Sequence, residues 1–247
     1  MAPGFYLLAL SDKRWPAWLD LVQGLSGLLL VLFMWAHLFA VSSILLGKSA
    51  MFRVTRFFEG SLFFDTPQPW LVSLVALSIF ALFAVHTLLA IRKMPDGYRQ
   101  WRAWLVHMRG MRHEETTLWL LQVITGLTLM FFATAHLLEL FIHPANIGPH
   151  ASSARIADGG WVLGLILLFS VEVHAGIGLY RLIIKWGWFG LGDTAKKRRR
   201  LRRAVYGLVT FFLVLGLATQ QAYLRIGNEE AVRAGVRYQP TAAEVSH

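Results

Sequence analysis

Residues 160–184 read GWVLGLILLFSVEVHAGIGLYRLII, an apolar run of helical length. The hydrocarbon core of a bilayer is about 30 Å thick and needs about 20 helical residues to cross it. The run is therefore predicted to be a transmembrane helix. Two ionisable residues, Glu172 and His174, lie near its middle. Inside a membrane such side chains are costly, and they often serve a function.

Four further segments of the same kind occur in the 247-residue chain, at 18–46, 69–91, 116–142 and 204–226. Hydrophobic residues make up 56% of the sequence and charged residues 15%, and the mean hydropathy is +0.51. This composition excludes an ordinary soluble domain, in which charged residues are about 25%. The expected fold is an all-α membrane protein, a single domain over 1–247. It has five transmembrane helices, and helices I–IV form a four-helix bundle.

Basic residues outnumber acidic ones by 24 to 14, but they are confined to short segments between the apolar runs. This pattern is typical of membrane topology and not of a nucleic-acid-binding surface, so nucleic acid is excluded as a partner. On alternate loops, 17 of the 24 basic residues fall on one side, among them the run at 196–203. The positive-inside rule then predicts a cytoplasmic N-terminus and an external C-terminus. The polar tail after Arg225 is expected to be flexible.

The chain contains no cysteine, which excludes disulfides, cysteine zinc sites and an iron–sulfur cluster on this chain. Any metal must be bound through nitrogen or oxygen. Four of the nine histidines fall inside predicted helices, one in each of helices I–IV: His37, His86, His136 and His174. The other five lie in loops or at helix ends and are expected at the surface: His107, His113, His143, His150 and His247.

The depth of the four membrane histidines sorts them into two pairs. At a rise of 1.5 Å per residue, His37 and His136 lie about 26 and 32 Å from the cytoplasmic ends of their helices. His86 and His174 lie only about 9 and 10 Å from that side. A lone membrane histidine can merely bond a neighbouring helix. Two pairs at two depths instead match the axial ligands of two stacked haems.

A haem with two imidazole ligands has no open coordination site, so it transfers electrons and does not bind oxygen. Neutral imidazole can be buried, and its second nitrogen can be held by a backbone carbonyl one turn away. Haem propionates need cations or donors near the membrane surface. Arg181 and Lys185 share a helix face with His174, and Gln23 lies close to the helix face that carries His37. Ordinary snorkelling explains the two cations equally well.

Two carboxylates stand where charge is expensive. Glu172 lies about 21 Å along helix IV, near mid-membrane, and is a candidate proton relay. The alternative is a protonated structural acid that bonds a neighbouring helix. Glu59 lies in the aromatic stretch FFEGSLFF at 57–64, near the depth of the outer histidines. A carboxylate among rings suits a quinol pocket, where oxidation releases protons that need an acceptor, although a simple interfacial glutamate remains the alternative.

The chain resembles the five-helix, dihaem cytochrome b subunit of quinol:fumarate reductases and related succinate dehydrogenases. The resemblance covers about 18–226 and is carried by the motifs MWAH at 34–37, EG at 59–60, AVH at 84–86, MRHEETTLW at 111–119, FSVEVH at 169–174, GLYR at 178–181 and KWGWF at 185–189. It implies that the first and third membrane histidines bind the outer haem iron and the second and fourth the inner one.

The same resemblance assigns further roles. It implies that Glu59 is the acid of the menaquinol site and that Glu172 belongs to a transmembrane proton route. It also implies propionate contacts for four residues: Gln23, Trp119, Arg155 and Lys185. Relatives can carry a hydroxyl residue where this chain has Gly24, so a propionate contact at this position is not expected here.

The implied partners are a flavoprotein subunit with covalent FAD, which interconverts fumarate and succinate, and an iron–sulfur subunit. The expected location is the bacterial cytoplasmic membrane, and a dimer of complexes is compatible with the family. Three alternatives stay open from the residues. They are a dihaem anchor of a hydrogenase or formate dehydrogenase, a transmembrane ferric reductase, and a haem-free transporter with a proton path through Glu172. The first usually places its ligands on fewer helices, and the second repeats two histidines on each of two helices.

Overall fold

The computed structural model describes residues 14–111, 114–191, 194–233 and 235–240. Within these ranges all regular secondary structure is helical, and it forms eight α-helices: α1 (Trp15–Ser42), α2 (Lys48–Phe58), α3 (Pro69–Ile91), α4 (Tyr98–Met111), α5 (Glu114–Ile142), α6 (Pro149–Arg155), α7 (Trp161–Lys185) and α8 (Ala195–Glu229). Two of the expected surface histidines, His113 and His247, lie outside the described residues. His107 and His143 are exposed as expected, but His150 is buried, so its predicted surface position was wrong.

Five helical segments are long and apolar enough to cross a membrane: Trp15–Leu46, Pro69–Ile91, Glu114–Ile142, Pro149–Lys185 and Ala195–Glu229. The prediction of an all-α membrane protein with five such helices is therefore confirmed. The predicted helices I–V correspond to α1, α3, α5, α7 and α8. Three shorter helices, α2, α4 and α6, occupy stretches between the spans that were expected to be loops.

Local sequence explains several helix boundaries. Helices α3 and α6 each begin at a proline, which fits the first turn because it has no N–H to leave unpaired. The side chain of Thr194 accepts a hydrogen bond from the Lys197 N–H and so caps the start of α8. Helix α2 ends at Phe58 with Glu59 as its C-cap, and Gly60 follows with φ of +84°, a left-handed conformation that favours glycine.

The long helices surround a central cavity of about 950 Å³. Helix α3 packs between α1 and α5, and α7 packs on α5 and α8 and also touches α1. Helices α1, α3, α5 and α7 supply most of the cavity wall, and α8, which packs on α7 and α1, adds residues such as Thr219 and Tyr223. Small residues allow this close approach, because a Cβ on Gly176 would lie 2.4 Å from a methyl of Val209 on α8. Large apolar side chains on the outer faces are exposed, as expected for surfaces in contact with lipid.

The molecule has two ends. The basic end is formed by the start of α1, the end of α3, α4, the end of α7 and the start of α8. The opposite end is formed by α2, α6 and residues 235–240.

The prediction of a flexible tail after Arg225 was wrong for the part that the structure describes. Helix α8 continues to Glu229, and Tyr238 is buried against α2, where its hydroxyl and that of Ser49 share a 2.8 Å hydrogen bond.

Candidate functional site

The four membrane histidines project into the central cavity as two pairs. The ring centres of His37 (α1) and His136 (α5) lie 6.3 Å apart, with the ring planes at 74°. Those of His86 (α3) and His174 (α7) lie 6.4 Å apart, at 85°. Each pair joins helices that face each other across the cavity and not helices packed side by side. The structure thus brings together the pairs that depth predicted.

The spacing of each pair matches two ligands on opposite sides of one metal ion. A metal about 2 Å from one nitrogen of each imidazole places the ring centres a little over 6 Å apart. In the described part of the chain no group of three or more His, Cys, Asp or Glu side chains could hold a metal ion by itself. The donor set therefore suits a metal whose remaining ligands come from a macrocycle, which is the situation in haem.

The rings of the pair nearer the basic end are fixed by their second nitrogens. Nδ1 of His86 donates to the backbone carbonyl of Gln23 at 3.2 Å, and Nδ1 of His174 donates to that of Gln122 at 3.0 Å. Because a carbonyl can only accept, Nδ1 carries the hydrogen and the Nε2 lone pair is left for a metal. These carbonyls lie on the neighbouring helix and not one turn away, so that detail of the sequence prediction was wrong.

Two glycines make room for these rings. A Cβ on Gly27 would lie 2.8 Å from Cε1 of His86, and one on Gly126 would lie 3.0 Å from Cε1 of His174. Both distances are shorter than ordinary carbon–carbon contacts of about 3.5–4.0 Å. The hydroxyls of Ser26 and Thr125 lie 3.3 and 3.2 Å from the two Nδ1 atoms. Each glycine thus lets an imidazole approach the backbone that holds it.

An internal repeat underlies this arrangement. Residues 23–38, QGLSGLLLVLFMWAHL, align with 122–137, QVITGLTLMFFATAHL, at a constant offset. The glutamine carbonyl, the hydroxyl residue, the glycine and the cavity histidine occupy equal places in both. Sequence reasoning missed the roles of Ser26, Gln122 and Thr125, but this repeat was the signal that could have found them.

All five residues expected at haem propionates line the cavity: Gln23, Trp119, Arg155, Arg181 and Lys185. Four of them lie towards the basic end and Arg155 lies at the opposite end. Arg181 donates to the side-chain oxygen of Gln122 at 3.2 Å, and Lys185 lies 3.2 Å from Asp20. Arg155 bonds the backbone carbonyl of Asn146.

Asp20 forms a cluster with three cations at the basic end. Its carboxylate lies 2.9 Å from Arg92 and 2.8 Å from Lys93, in addition to Lys185. The cluster keeps an excess of positive charge, which suits an anionic group at this end of the cavity. The cavity thus offers paired nitrogen ligands, room and cations, and these are what two haems require.

Glu172 is fully buried, and it does not line the cavity. The indole Nε1 of Trp35 on α1 donates to its Oε2 at 3.4 Å, and the Trp35 ring stacks on Phe212 of α8 at 5.1 Å. Among the described residues its Oε1 has no hydrogen-bond partner. Glu172 therefore faces the contact between α1, α7 and α8, whereas His174, two residues later, faces the cavity.

Glu59 is also fully buried, but two arginines surround it. The Arg237 guanidinium forms an ion pair with Oε2, and Arg56 Nη1 lies 3.7 Å from the same oxygen. Glu59 does not line the central cavity, although Thr55 and Phe58 on the same helix do. Of the neighbouring rings, Phe57, Phe63 and Phe64 are exposed. Sequence reasoning missed Arg237 because it lies far along the chain.

Comparison with known proteins identifies the family. Residues 99–217 match the family model described as "Succinate dehydrogenase/Fumarate reductase transmembrane subunit". The fumarate reductase cytochrome b subunit of Helicobacter pylori is 45% identical over 212 residues, which are 85% of this chain and 82% of that protein. The protein of the same name from Wolinella succinogenes is 44% identical over 221 residues, 89% of this chain and 86% of its own. The chain therefore belongs to the succinate dehydrogenase/fumarate reductase transmembrane subunit family, as a cytochrome b subunit of the fumarate reductase type in the bacterial inner membrane.

Proposed function

We propose that this chain holds two haems b and passes electrons from menaquinol to the soluble subunits of a fumarate reductase complex. The observation that carries the proposal is the two histidine pairs across the cavity, at ring separations of 6.3 and 6.4 Å. His37 and His136 would bind the outer haem iron, and His86 and His174 the inner one. When bound, the haems supply one-electron transfer along the cavity. The name cytochrome b in the relatives supports this cofactor.

The orientation follows from charge. By sequence, 17 of the 24 basic residues fall in the segments that adjoin the basic end, so we place that end in the cytoplasm and residues 235–240 outside. The iron–sulfur subunit and the FAD-containing flavoprotein would dock at the basic end, next to the inner histidines. Arg181, Lys185, Gln23 and Trp119 would hold the inner propionates, and Arg155 the outer ones, because charge-assisted bonds to carboxylates are the strong ones.

Glu59 is proposed to accept the protons that leave the quinol at the outer end. Oxidation of a quinol releases two protons and two electrons, and a buried carboxylate next to an apolar cavity is a suitable base. Thr55 and Phe58 bring the same helix to the cavity wall, which supports a quinol position within reach of Glu59. In the reverse direction, succinate oxidation would reduce a quinone at the same place. Two complexes could associate as a dimer.

Glu172 is proposed to pass protons inward beside the electrons. Electrons that travel inward from an outer quinol site move charge across the membrane, at about 2.3 kcal/mol per charge for 100 mV. A proton that moves the same way cancels this cost. Full burial, the long bond from Trp35 and an unpartnered Oε1 within the described structure support a carboxyl that exchanges protons. The alternative role remains a structural bond to α1.

Family membership decides against the hydrogenase, formate dehydrogenase and ferric reductase alternatives. It also favours an electron carrier over a haem-free transporter. A reduced-minus-oxidised optical spectrum of the purified complex distinguishes these last two, because only a cytochrome gives the haem bands.

The decisive experiment is haem content after single histidine substitutions in the purified complex. His37→Ala and His136→Ala should each remove the same spectral component, and His86→Ala and His174→Ala should each remove the other. His143→Ala, at an exposed position, is the matched control and should keep both. The proposal fails if His37→Ala and His86→Ala lose the same component.

A further inference from the structure

The C-terminal segment places a cation on a buried acid. Glu59 is 0% exposed, and its Oε2 accepts from Nη2 of Arg237, a side chain that is 35% exposed. Within the described residues its other oxygen, Oε1, has no hydrogen-bond partner. A buried carboxylate is costly unless it is paired. The bond to Arg237 therefore occupies Oε2 and leaves Oε1 as the oxygen without a partner in the described structure.

Arg56 does not duplicate this contact. Its Nη2 donates to the backbone carbonyl of Asp65 at 2.8 Å, so it holds the loop after α2. Its Nη1 lies 3.7 Å from Glu59 Oε2, beyond hydrogen-bond distance. Arg56 adds positive potential, and Arg237 makes the direct bond. These two are the charged groups that face Glu59 from α2 and from the C-terminal segment.

The residues on either side of Arg237 are anchored. Nδ1 of His150 donates to the Val236 carbonyl at 3.0 Å. Tyr238 shares its hydroxyl bond with Ser49, and its ring packs edge-on against the His150 ring at 5.2 Å between centres. Because Val236 and Tyr238 are both hydrogen-bonded to the helices, the backbone of Arg237 between them has a defined position. The contact with Glu59 is therefore built into the fold.

Ionic contacts at the end of α8 also hold the C-terminal segment that carries Arg237 in place. The Glu230 carboxylate lies 2.5 Å from Lys48 Nζ and 3.0 Å from Nε2 of His150. The hydrogen bond from Lys48 holds the pKa of Glu230 below its ordinary value of 4.5. The end of α8, the start of α2 and α6 thus meet at one charged junction beneath Tyr238. The junction keeps the segment that carries Arg237 on the outer end of the bundle.

We propose that Arg237 is a positioning residue for Glu59: it binds Oε2 and so fixes the carboxyl group with Oε1 as the oxygen that takes the proton of a quinol hydroxyl. This inference rests on the proposed role of Glu59. The proton passes from the hydroxyl oxygen to Oε1, while the electrons leave by the haem route. Protonation removes the charge that holds Arg237, and the partly exposed guanidinium can then move aside and let the proton leave to outside water.

The test compares Arg237→Gln and Arg237→Lys in the complete complex, with Arg225→Gln as the control. Arg225 is also near the outer end, but it is 73% exposed and pairs only with Glu229 among the described residues. Arg237→Gln removes the bond that orients the Glu59 carboxyl, and misplacement of a reacting group by about 1 Å can cost about a hundredfold in rate. It should therefore lower menaquinol-dependent fumarate reduction at least about tenfold at neutral pH. Arg237→Lys, which keeps a cationic donor at this place, should restore most of the rate.

Haem content and fumarate reduction by an artificial donor to the soluble subunits should stay normal in all three variants. A wild-type rate in Arg237→Gln, or an equal loss of rate in the Gln and Lys variants, would overturn the inference. Glu59→Gln, measured alongside, separates this outcome from failure of the proposed function. Retained menaquinol activity in Glu59→Gln removes the role of Glu59 itself, whereas an inactive Glu59→Gln with a normal Arg237→Gln removes only that of Arg237.

Discussion

Replacement of Gly27 by alanine should remove the inner of the two proposed haems and leave the outer one. The added Cβ would lie 2.8 Å from Cε1 of His86, so the ring must retreat by about 0.7 Å or more to reach ordinary contact. Metal–ligand distances tolerate only about 0.2 Å. The retreat also stretches the 3.2 Å bond from Nδ1 to the Gln23 carbonyl. Overpacking of this kind costs about 1–3 kcal/mol even where no metal is involved.

The assay is haem per polypeptide in the purified complex, together with a redox titration of the haem bands. Haem per polypeptide should fall by about half, and one redox component should disappear. Gly126→Ala, where the corresponding contact is 3.0 Å, should have the same effect in milder form on the same component. Gly207→Ala is the matched control, because a Cβ there meets nothing within 4 Å. A Gly27→Ala complex with both components at wild-type amounts would refute the reasoning.

Two further predictions concern charged groups away from the cavity. Glu172→Gln should keep both haems and their reduction by quinol but slow full turnover, which proteoliposome measurements of activity and membrane potential would show. Wild-type turnover that stays electroneutral would make Glu172 a structural acid. Because Lys48 lowers the pKa of Glu230, this pair stabilises the outer junction above about pH 4.5 and the stabilisation is lost as pH falls through the lower folded-state value. Lys48→Met should therefore speed hydrogen exchange of residues 235–240 at neutral pH. In this variant, acidification should raise the exchange rate less than it does in the wild type. Equal exchange rates in the two proteins would contradict the prediction.

The transmembrane helices and the depth of the histidines were predictable because both depend on local properties. Apolar length identifies a span, and a constant rise per residue converts position into depth. His37 and His136 thus fell at one level and His86 and His174 at another, before any contact between helices was known.

The supporting contacts were not predictable in this way, because each joins residues distant in the chain. The carbonyl that holds His86 belongs to Gln23 on another helix, and Arg237 reaches Glu59 from the far end of the chain. For the tail residues that the structure describes, the prediction of flexibility was wrong for the same reason. The polarity of the tail is typical of a loose end, but its partners lie on α2 and α6. Of these supporting contacts, only those of His86 and His174 have a signal in the sequence, which is the repeat between 23–38 and 122–137.

The orientation of Glu172 makes α7 a partition within the membrane. Residues two apart on a helix point about 200° from each other, so α7 presents His174 to the cavity and Glu172 to the contact with Trp35 and Phe212. A proton carried by Glu172 would travel on the far side of that helix from the iron ligands. The backbone of α7 would then separate the proton route from the electron route. A substitution on one face of α7 would not open the other face to water.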